Sequence, residues 1–243
     1  MNKTEKLKGQ VVLVTGASRG IGRRISIALA GRGMRVILTA RNEELLHKLE
    51  KEIKSSGGTA EAIRADISEE KDLMHLFRLI PKRYGKLDIL INNAAIGTFG
   101  KLADFSIKDF DRIIKVNLRG LFLCCQKALK LMIPEKSGYI INISSMQGIK
   151  GYAGQSAYAA SKHGVMGLTK SLASEVQEHG IRVSAILPGG VDTELIRKAR
   201  PDLDASVLIK TDDIAKAVLF LLSLSDRAMV DQIVIRRMVA SPF

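Results

Sequence analysis

The chain has 243 residues, 46% of them hydrophobic and 26% charged, which is enough apolar content for one large core and fits one α/β domain. Its formal net charge is +13, but the basic residues are scattered, from Lys3, Lys6 and Lys8 near one end to Arg236 and Arg237 near the other. No long Lys/Arg run interleaves with aromatics, so a nucleic-acid platform is not expected, and the adjacent Cys124 and Cys125 suit neither a disulfide framework nor a zinc site. "MNKTEKLKGQ" lacks the apolar stretch of a signal peptide, and runs such as "AVLFLL" are too short to span a bilayer. A cytoplasmic protein with buried thiols, no metal and no membrane partner is expected.

In chain order, "QVVLVTG" is a β-branched apolar run that reads as a buried strand, followed by a helix from Ile21 to Arg32. "MRVILTA" is a second strand; Asn42 then caps a charged amphipathic helix to about Ser56. "TAEAIRAD" is a third strand, followed by a helix from Glu69 to Ile80 that meets Pro81. "LDILINN" is a fourth strand, and a long helical region fills Ile107 to Met132, ended by Pro134. "GYIINISS" is a fifth strand, and the next helix carries Tyr158 and runs to about His179. "IRVSAIL" is a sixth strand stopped by "PGG", a helix spans Thr211 to Leu224, and "QIVIRR" is the seventh strand. This alternation predicts a mostly parallel seven-stranded sheet with helices on both faces.

Two stretches carry chemistry. "TGASRGIG", Thr15 to Gly22, lies between the first strand and the first helix, where Gly16, Gly20 and Gly22 permit a tight turn and let backbone N–H groups reach a phosphate. Its spacing is G-x-x-x-G-x-G. The second strand ends in "LTARN", offering Arg41 where an acidic residue would meet a free ribose 2′-OH, and Arg19 lies inside the glycine loop. Two guanidinium groups suit a 2′-phosphate, which favours NADP(H), with NAD(H) the alternative. The plainer reading makes both arginines surface residues paired with Glu43 or water.

In "SAYAASKHG", Tyr158 and Lys162 stand four residues apart, hence on one helix face. A nearby lysine charge favours the phenolate, so the pair can serve as a tuned general acid. The plainer reading leaves both idle on a solvated face.

Seven motifs in order, "TGASRGIG", "ADI", "NNAA", "KVNLRG", "ISS", "YAASK" and "PGGVDT", make the chain resemble the short-chain dehydrogenase/reductase family along nearly its whole length. It is most similar to the 3-oxoacyl-(acyl-carrier-protein) reductase branch. The resemblance implies a single Rossmann-type doubly wound domain. It makes Tyr158 the acid/base and gives Lys162 the nicotinamide ribose. Ser145, rather than Ser144, holds the substrate oxygen. Asn117 interrupts the long helix and holds a water on a proton path toward Lys162. Asp66 and Ile67 edge the adenine, Asn93 and Ala94 lie on the adenosine ribose side, and the Val191 backbone and Thr193 hold the carboxamide.

The remaining positions of the implied cofactor set are Gly16, Ser18, Arg19, Gly20, Ile21, Gly22, Arg41, Pro188 and Gly189, with Tyr158 and Lys162 serving both roles. His163 points off the catalytic face. Implied substrates are a carbonyl or secondary alcohol, including an acyl-carrier-protein or CoA thioester. "LFLCCQKALKLMI" is too apolar for a helix with a wide solvent face, and the resemblance implies that it packs with the helix after Tyr158 across a twofold axis in a homodimer or homotetramer. A non-catalytic cofactor-binding scaffold or regulator is the alternative function. Two departures from the family pattern stand out: Ala95 replaces the usual Gly of "NNAG", and the tail "RRMVASPF" has no glycine. That tail, with the segment from Glu194 to Lys210, flanks the implied substrate site.

Overall fold

A computed structural model describes residues 7–241; Lys3, Lys6 and the last two residues of the tail, Pro242 and Phe243, lie outside them. The first βα unit is β1 (Val11–Thr15) and α1 (Gly20–Ala30), followed by β2 (Arg35–Thr39) and α2 (Glu43–Ser55). Then come β3 (Thr59–Ala62), α3 (Glu70–Tyr84), β4 (Ile89–Asn92) and α4 (Ile107–Ile114). A π-helical turn (Lys115–Gly120) leads into α5 (Leu121–Met132), β5 (Gly138–Ile143) and α6 (Ser156–Val176). The chain ends with β6 (Ile181–Pro188), α7 (Glu194–Ala199), α8 (Thr211–Ser223) and β7 (Gln232–Ile235).

All seven strands pair in parallel in the order β3-β2-β1-β4-β5-β6-β7. The chain builds outward from β1 to β3, then crosses back to place β4 on the other side of β1. This reversal is the topological switch point of a doubly wound, Rossmann-like sheet, where ligands bind beyond the carboxyl ends of the strands. The central strands are buried on both faces, which explains their unbroken apolar runs. Successive residues of β1 serve opposite layers. Val12 and Val14 join Ile25, Leu29 and Val218 in one cluster, while Val11 and Leu13 join Leu73, Leu76, Cys124 and Val165 in the other.

Several local signals act as expected. The Asn42 side chain accepts a hydrogen bond from the Leu45 N–H at 2.9 Å, capping α2. Both cysteines are free and buried, and burial pushes both thiols up, Cys125 to about 12. Among the described residues, no helix is long and apolar enough to cross a membrane.

One helix end and one short helix differ from the sequence reading, while the break in the long helix falls at Asn117, as the resemblance implied. Helix α3 continues through Pro81 to Tyr84 instead of stopping at Ile80. Pro81 has no N–H to give the Phe77 carbonyl, but buried Leu76, Phe77 and Ile80 anchor the preceding turn. The following turn is held by Tyr84, whose ring lies under the Arg35 guanidinium and whose hydroxyl donates to Glu61. The long helix from Ile107 to Met132 is broken into two α-helices by the π turn around Asn117. Gly120 ends that turn, and a Cβ there would lie 2.8 Å from the Ile67 carbonyl oxygen, so the backbones approach where a side chain does not fit. The short helix α7 was not anticipated at all: it has no buried residue and no side-chain cap to betray it.

Candidate functional site

The implied site residues follow the carboxyl ends of different strands, at one end of the sheet. The loop after β1 is stitched to the end of β4. Thr15 Oγ1 accepts from the N–H groups of Asn93 (3.0 Å) and Ala94 (3.1 Å), and the Asn93 amide donates to the carbonyls of Thr15 (3.0 Å) and Gly16 (3.1 Å). This packing explains two glycines. A Cβ on Gly22 would sit 2.3 Å from the Gly16 carbonyl oxygen and 2.4 Å from Asn93 Nδ2, and one on Gly16 would sit 2.7 Å from the Ala94 Cα. Gly20 is required by its φ of +56°. The side-chain amide of Asn93, expected on the ribose side, is therefore spent on fastening the glycine loop. Ala95 is not among the residues of positive φ, so the departure from glycine there strains nothing.

The N-terminus of α1 has no side-chain cap and no acidic residue in its first turn. Its N–H groups and the positive end of its dipole suit a phosphate, so the loop fits a dinucleotide. Arg41 follows β2, is exposed, and makes no ion pair among the described residues, whereas Glu43 lies 3.7 Å from His47. Arg19 is different: its guanidinium pairs with Glu194 at the start of α7. Asp66 Oδ1 is engaged by the N–H (2.9 Å) and hydroxyl (2.8 Å) of Ser68 in an Asx turn. The neighbouring Ile67 is buried against Gly120.

The second half of the site is built on α6. Tyr158 and Lys162 are 6% and 2% exposed, which removes the reading of an idle pair on a solvated face. Lys162 Nζ lies 5.7 Å from the centre of the Tyr158 ring and donates to the Ile143 carbonyl at 3.0 Å. Ser145 follows β5, accepts from the Gln147 N–H (3.1 Å) and donates to the Pro188 carbonyl (3.5 Å). Ser144 turns away and donates to the Lys162 carbonyl at 3.3 Å, so Ser145 is the serine beside the phenol. Asn117, presented by the π turn, accepts from the Ile96 N–H (2.8 Å) and donates to the Ile96 carbonyl (2.9 Å) and Ser161 Oγ (3.1 Å). His163 is exposed, with Nδ1 3.0 Å from the Ala159 carbonyl, away from this cluster.

Electrostatics correct one expectation. Burial pushes the Tyr158 phenol up to about 12, and only hydrogen bonding with the Ser145 side chain draws it down. Burial likewise pulls Lys162 down to about 8. In this dry setting burial disfavours both charged forms, and hydrogen bonding with Ser145 is what offsets desolvation of the phenol.

Lys162 therefore carries a stability cost with a definite pH signature. Between about 8 and its ordinary 10.5, the unfolded chain keeps the proton that the native chain has released, so stability rises with pH through that window. The unfolding free energy of the wild type relative to Lys162→Met should rise by roughly 2–3 kcal/mol from pH 8 to 10. Urea denaturation of both proteins measures this; a difference that stays flat contradicts the buried, shifted amine. The opposite contribution of Tyr158 starts above its ordinary 10 and is common to both proteins.

Sequence reasoning missed Phe99 and Leu195. The Phe99 ring meets Tyr158 edge-on at 5.8 Å and 61°, and a Cβ on Gly97 would touch Phe99 (2.7 Å) and Leu195 (3.2 Å). Both residues lie outside the regular elements read from periodicity; an aromatic soon after a strand's carboxyl end was the one available signal. After β7 the tail folds back without glycine, because Arg236 donates to the carbonyls of Arg237 (3.3 Å), Met238 (3.2 Å) and Ala240 (2.8 Å). Cavities of about 610 and 810 Å³ open at the opposite end of the sheet, near Arg35 and Thr59 and near Gly138 and Ile181, and contain none of the candidate residues.

The family model for short chain dehydrogenase matches residues 10–204 of this sequence. The chain belongs to the short-chain dehydrogenase family. It is thus an NAD(P)-dependent oxidoreductase on the family's doubly wound sheet. A 3-oxoacyl-[acyl-carrier-protein] reductase of Synechocystis sp. is 39% identical to this short-chain dehydrogenase over 78% of the chain and 77% of the relative. A 3beta-hydroxysteroid dehydrogenase of Mediterraneibacter gnavus is 38% identical over 80% of the chain and 70% of the relative. The crystal structure of a metagenomic short-chain oxidoreductase in complex with NADP matches with a TM-score of 0.85 at 37% identity, covering 96% of this chain and 99% of that one. Relatives named for a thioester and for a steroid stand at nearly equal identity, so identity alone does not choose the substrate.

Proposed function

We propose that this single-domain protein is an NADP(H)-dependent carbonyl reductase, with a 3-oxoacyl thioester as the leading substrate class. The observation that carries the reading is the grouping of buried Tyr158 and Lys162 with half-buried Ser145 at the same end of the sheet as the glycine loop. The bound nicotinamide supplies the hydride. Tyr158 Oη gives its proton to the substrate oxygen as negative charge develops there. A phenol pushed up to about 12 still serves, because the alkoxide it protonates is the stronger base. Ser145 Oγ donates to the same oxygen. Lys162 holds the nicotinamide ribose and stands behind the phenol as the next proton source. Asn117 has both amide N–H groups committed, but its carboxamide oxygen keeps a lone pair for a water on the path to Lys162.

Gly16, Ser18, Gly20, Ile21 and Gly22 at the α1 N-terminus would hold the cofactor phosphates, and Arg41 and Arg19 would hold the 2′-phosphate. Asp66, Ile67 and Ala94 border the adenosine, and Pro188, Gly189, Val191 and Thr193 border the nicotinamide. Phe99 and Leu195 give the substrate an apolar wall beside Tyr158. A panel of ketones, 3-oxoacyl thioesters and secondary alcohols assayed with both cofactors tests this function. Turnover of a ketone or thioester with NADPH supports it. Cofactor binding without turnover of any member favours a scaffold or regulator instead.

The same reading includes self-association. Phe122, near the start of α5, is 47% exposed, and Ile107 and Phe110 of α4 are also exposed, leaving apolar side chains uncovered on consecutive helices. Sedimentation at micromolar concentration should give a dimer or tetramer; a monomer would contradict it.

A further inference from the structure

We propose that Glu194 is a built-in competitor for the cofactor's 2′-phosphate: its carboxylate holds Arg19, and a phosphorylated cofactor must displace it. The inference deepens the proposed function and rests on its reading that Arg19 meets the 2′-phosphate. The ion pair spans 175 residues of sequence and joins the glycine loop to the first residue of α7. It stands on a wider junction, since a Cβ on Gly20 would lie 3.3 Å from Thr193 Cγ2, next to Glu194. Neighbouring arginines are otherwise engaged. Arg23 pairs with Glu52, Arg24 with Asp212, and Arg197 with Asp192. Among the described residues Glu194 pairs with Arg19, while Arg41 has no ion pair and stays free for a phosphate.

The guanidinium fork matches a carboxylate and a phosphate in the same way, so the two anions contend for one site. Arg19 and Glu194 side chains are 61% and 60% exposed, so their pair is weak and a phosphate can displace the carboxylate. Displacement also unties α7 from the glycine loop. Helix α7 carries Leu195, which lies with Phe99 against Gly97 beside Tyr158. The 2′-phosphate thus acts on the substrate side of the site as well as on cofactor choice. By linkage, a ligand that draws α7 away from the loop tightens NADP(H) and leaves NAD(H) unchanged.

The test is a double-mutant cycle read by calorimetric dissociation constants of NADP+ and NAD+ at constant salt, for wild type, Glu194→Gln, Arg19→Gln and the double variant. Glu194→Gln should bind NADP+ about two- to fivefold more tightly with NAD+ unchanged, and this gain should vanish in the Arg19→Gln background. If Arg19→Gln leaves NADP+ affinity intact, the underlying phosphate reading of Arg19 fails. If Arg19→Gln weakens NADP+ but Glu194→Gln changes nothing, the competition alone fails. A gain shared by both cofactors, or one that survives without Arg19, shows general charge relief and also overturns it. Amide hydrogen exchange in residues 194–199 should be faster with NADP+ than with NAD+, which share the nicotinamide half; equal exchange contradicts the untying of α7.

Discussion

Tyr158→Phe is expected to lower kcat by about 10²–10⁴-fold while leaving the NADPH dissociation constant within about twofold of wild type. The substitution keeps the ring that meets Phe99 edge-on at 5.8 Å and removes only the hydroxyl. That hydroxyl is the one proton donor of Tyr158, and Ser145 is the only side chain whose hydrogen bonding lowers its pKa. Ser145 can still hydrogen-bond the substrate oxygen, so some charge stabilisation persists while the proton must come from water. Lys162 keeps its bond to the Ile143 carbonyl at 3.0 Å, and the glycine loop is not involved, so cofactor binding should survive. Steady-state rates with calorimetric titration of NADPH separate the two effects. Near wild-type turnover would remove Tyr158 from the chemistry, and lost cofactor binding would mean that the variant damaged the site.

Arg41→Asp is expected to weaken NADPH by at least roughly tenfold and to leave NADH little changed or favoured. Charge-assisted hydrogen bonds to a phosphate are worth about 1.5–3 kcal/mol, and the new carboxylate repels the phosphate as well. The arginine is available for that contact because no carboxylate holds it among the described residues, and β2 ends at Thr39, followed by Ala40, with no acid to meet a bare 2′-OH. Dissociation constants of both cofactors for both proteins measure the switch. Equal wild-type affinity for NADH and NADPH would contradict the assignment of Arg41 to the phosphate.

The fold was legible wherever burial on both faces of a parallel sheet writes itself as a continuous apolar run, as in "VVLVT" and "IINI". Asn42 was legible because its cap is a local interaction three residues long. The helix end at Pro81 was misread because tertiary anchoring by Phe77, Ile80 and Tyr84 outweighs one missing backbone bond, and no local pattern reports that anchoring. Of the candidate site, the pairing was legible from spacing, since Tyr158 and Lys162 do share a buried face; Ser145 was legible only through the family resemblance, and it rather than Ser144 turns to the phenol. Electrostatic tuning was not legible, because proximity in sequence says nothing about dryness, and here burial dominates the shifts of both groups. The engagements of Asn93 with the glycine loop and of Arg19 with Glu194 were also invisible, since each joins segments far apart in the chain.

Hydride transfer between a nicotinamide and a carbonyl carbon, with Tyr158 as the acid, is the core of the proposed function. The most direct test incubates the protein with NADPH deuterated at the transferable ring position and a 3-oxoacyl thioester or simple ketone, and locates the label by mass spectrometry. One deuterium is expected on the carbinol carbon of the product with wild type, and none above background with Tyr158→Phe. Tight binding of NADPH with no label transferred to any carbonyl substrate, or equal transfer by the phenylalanine variant, would contradict it.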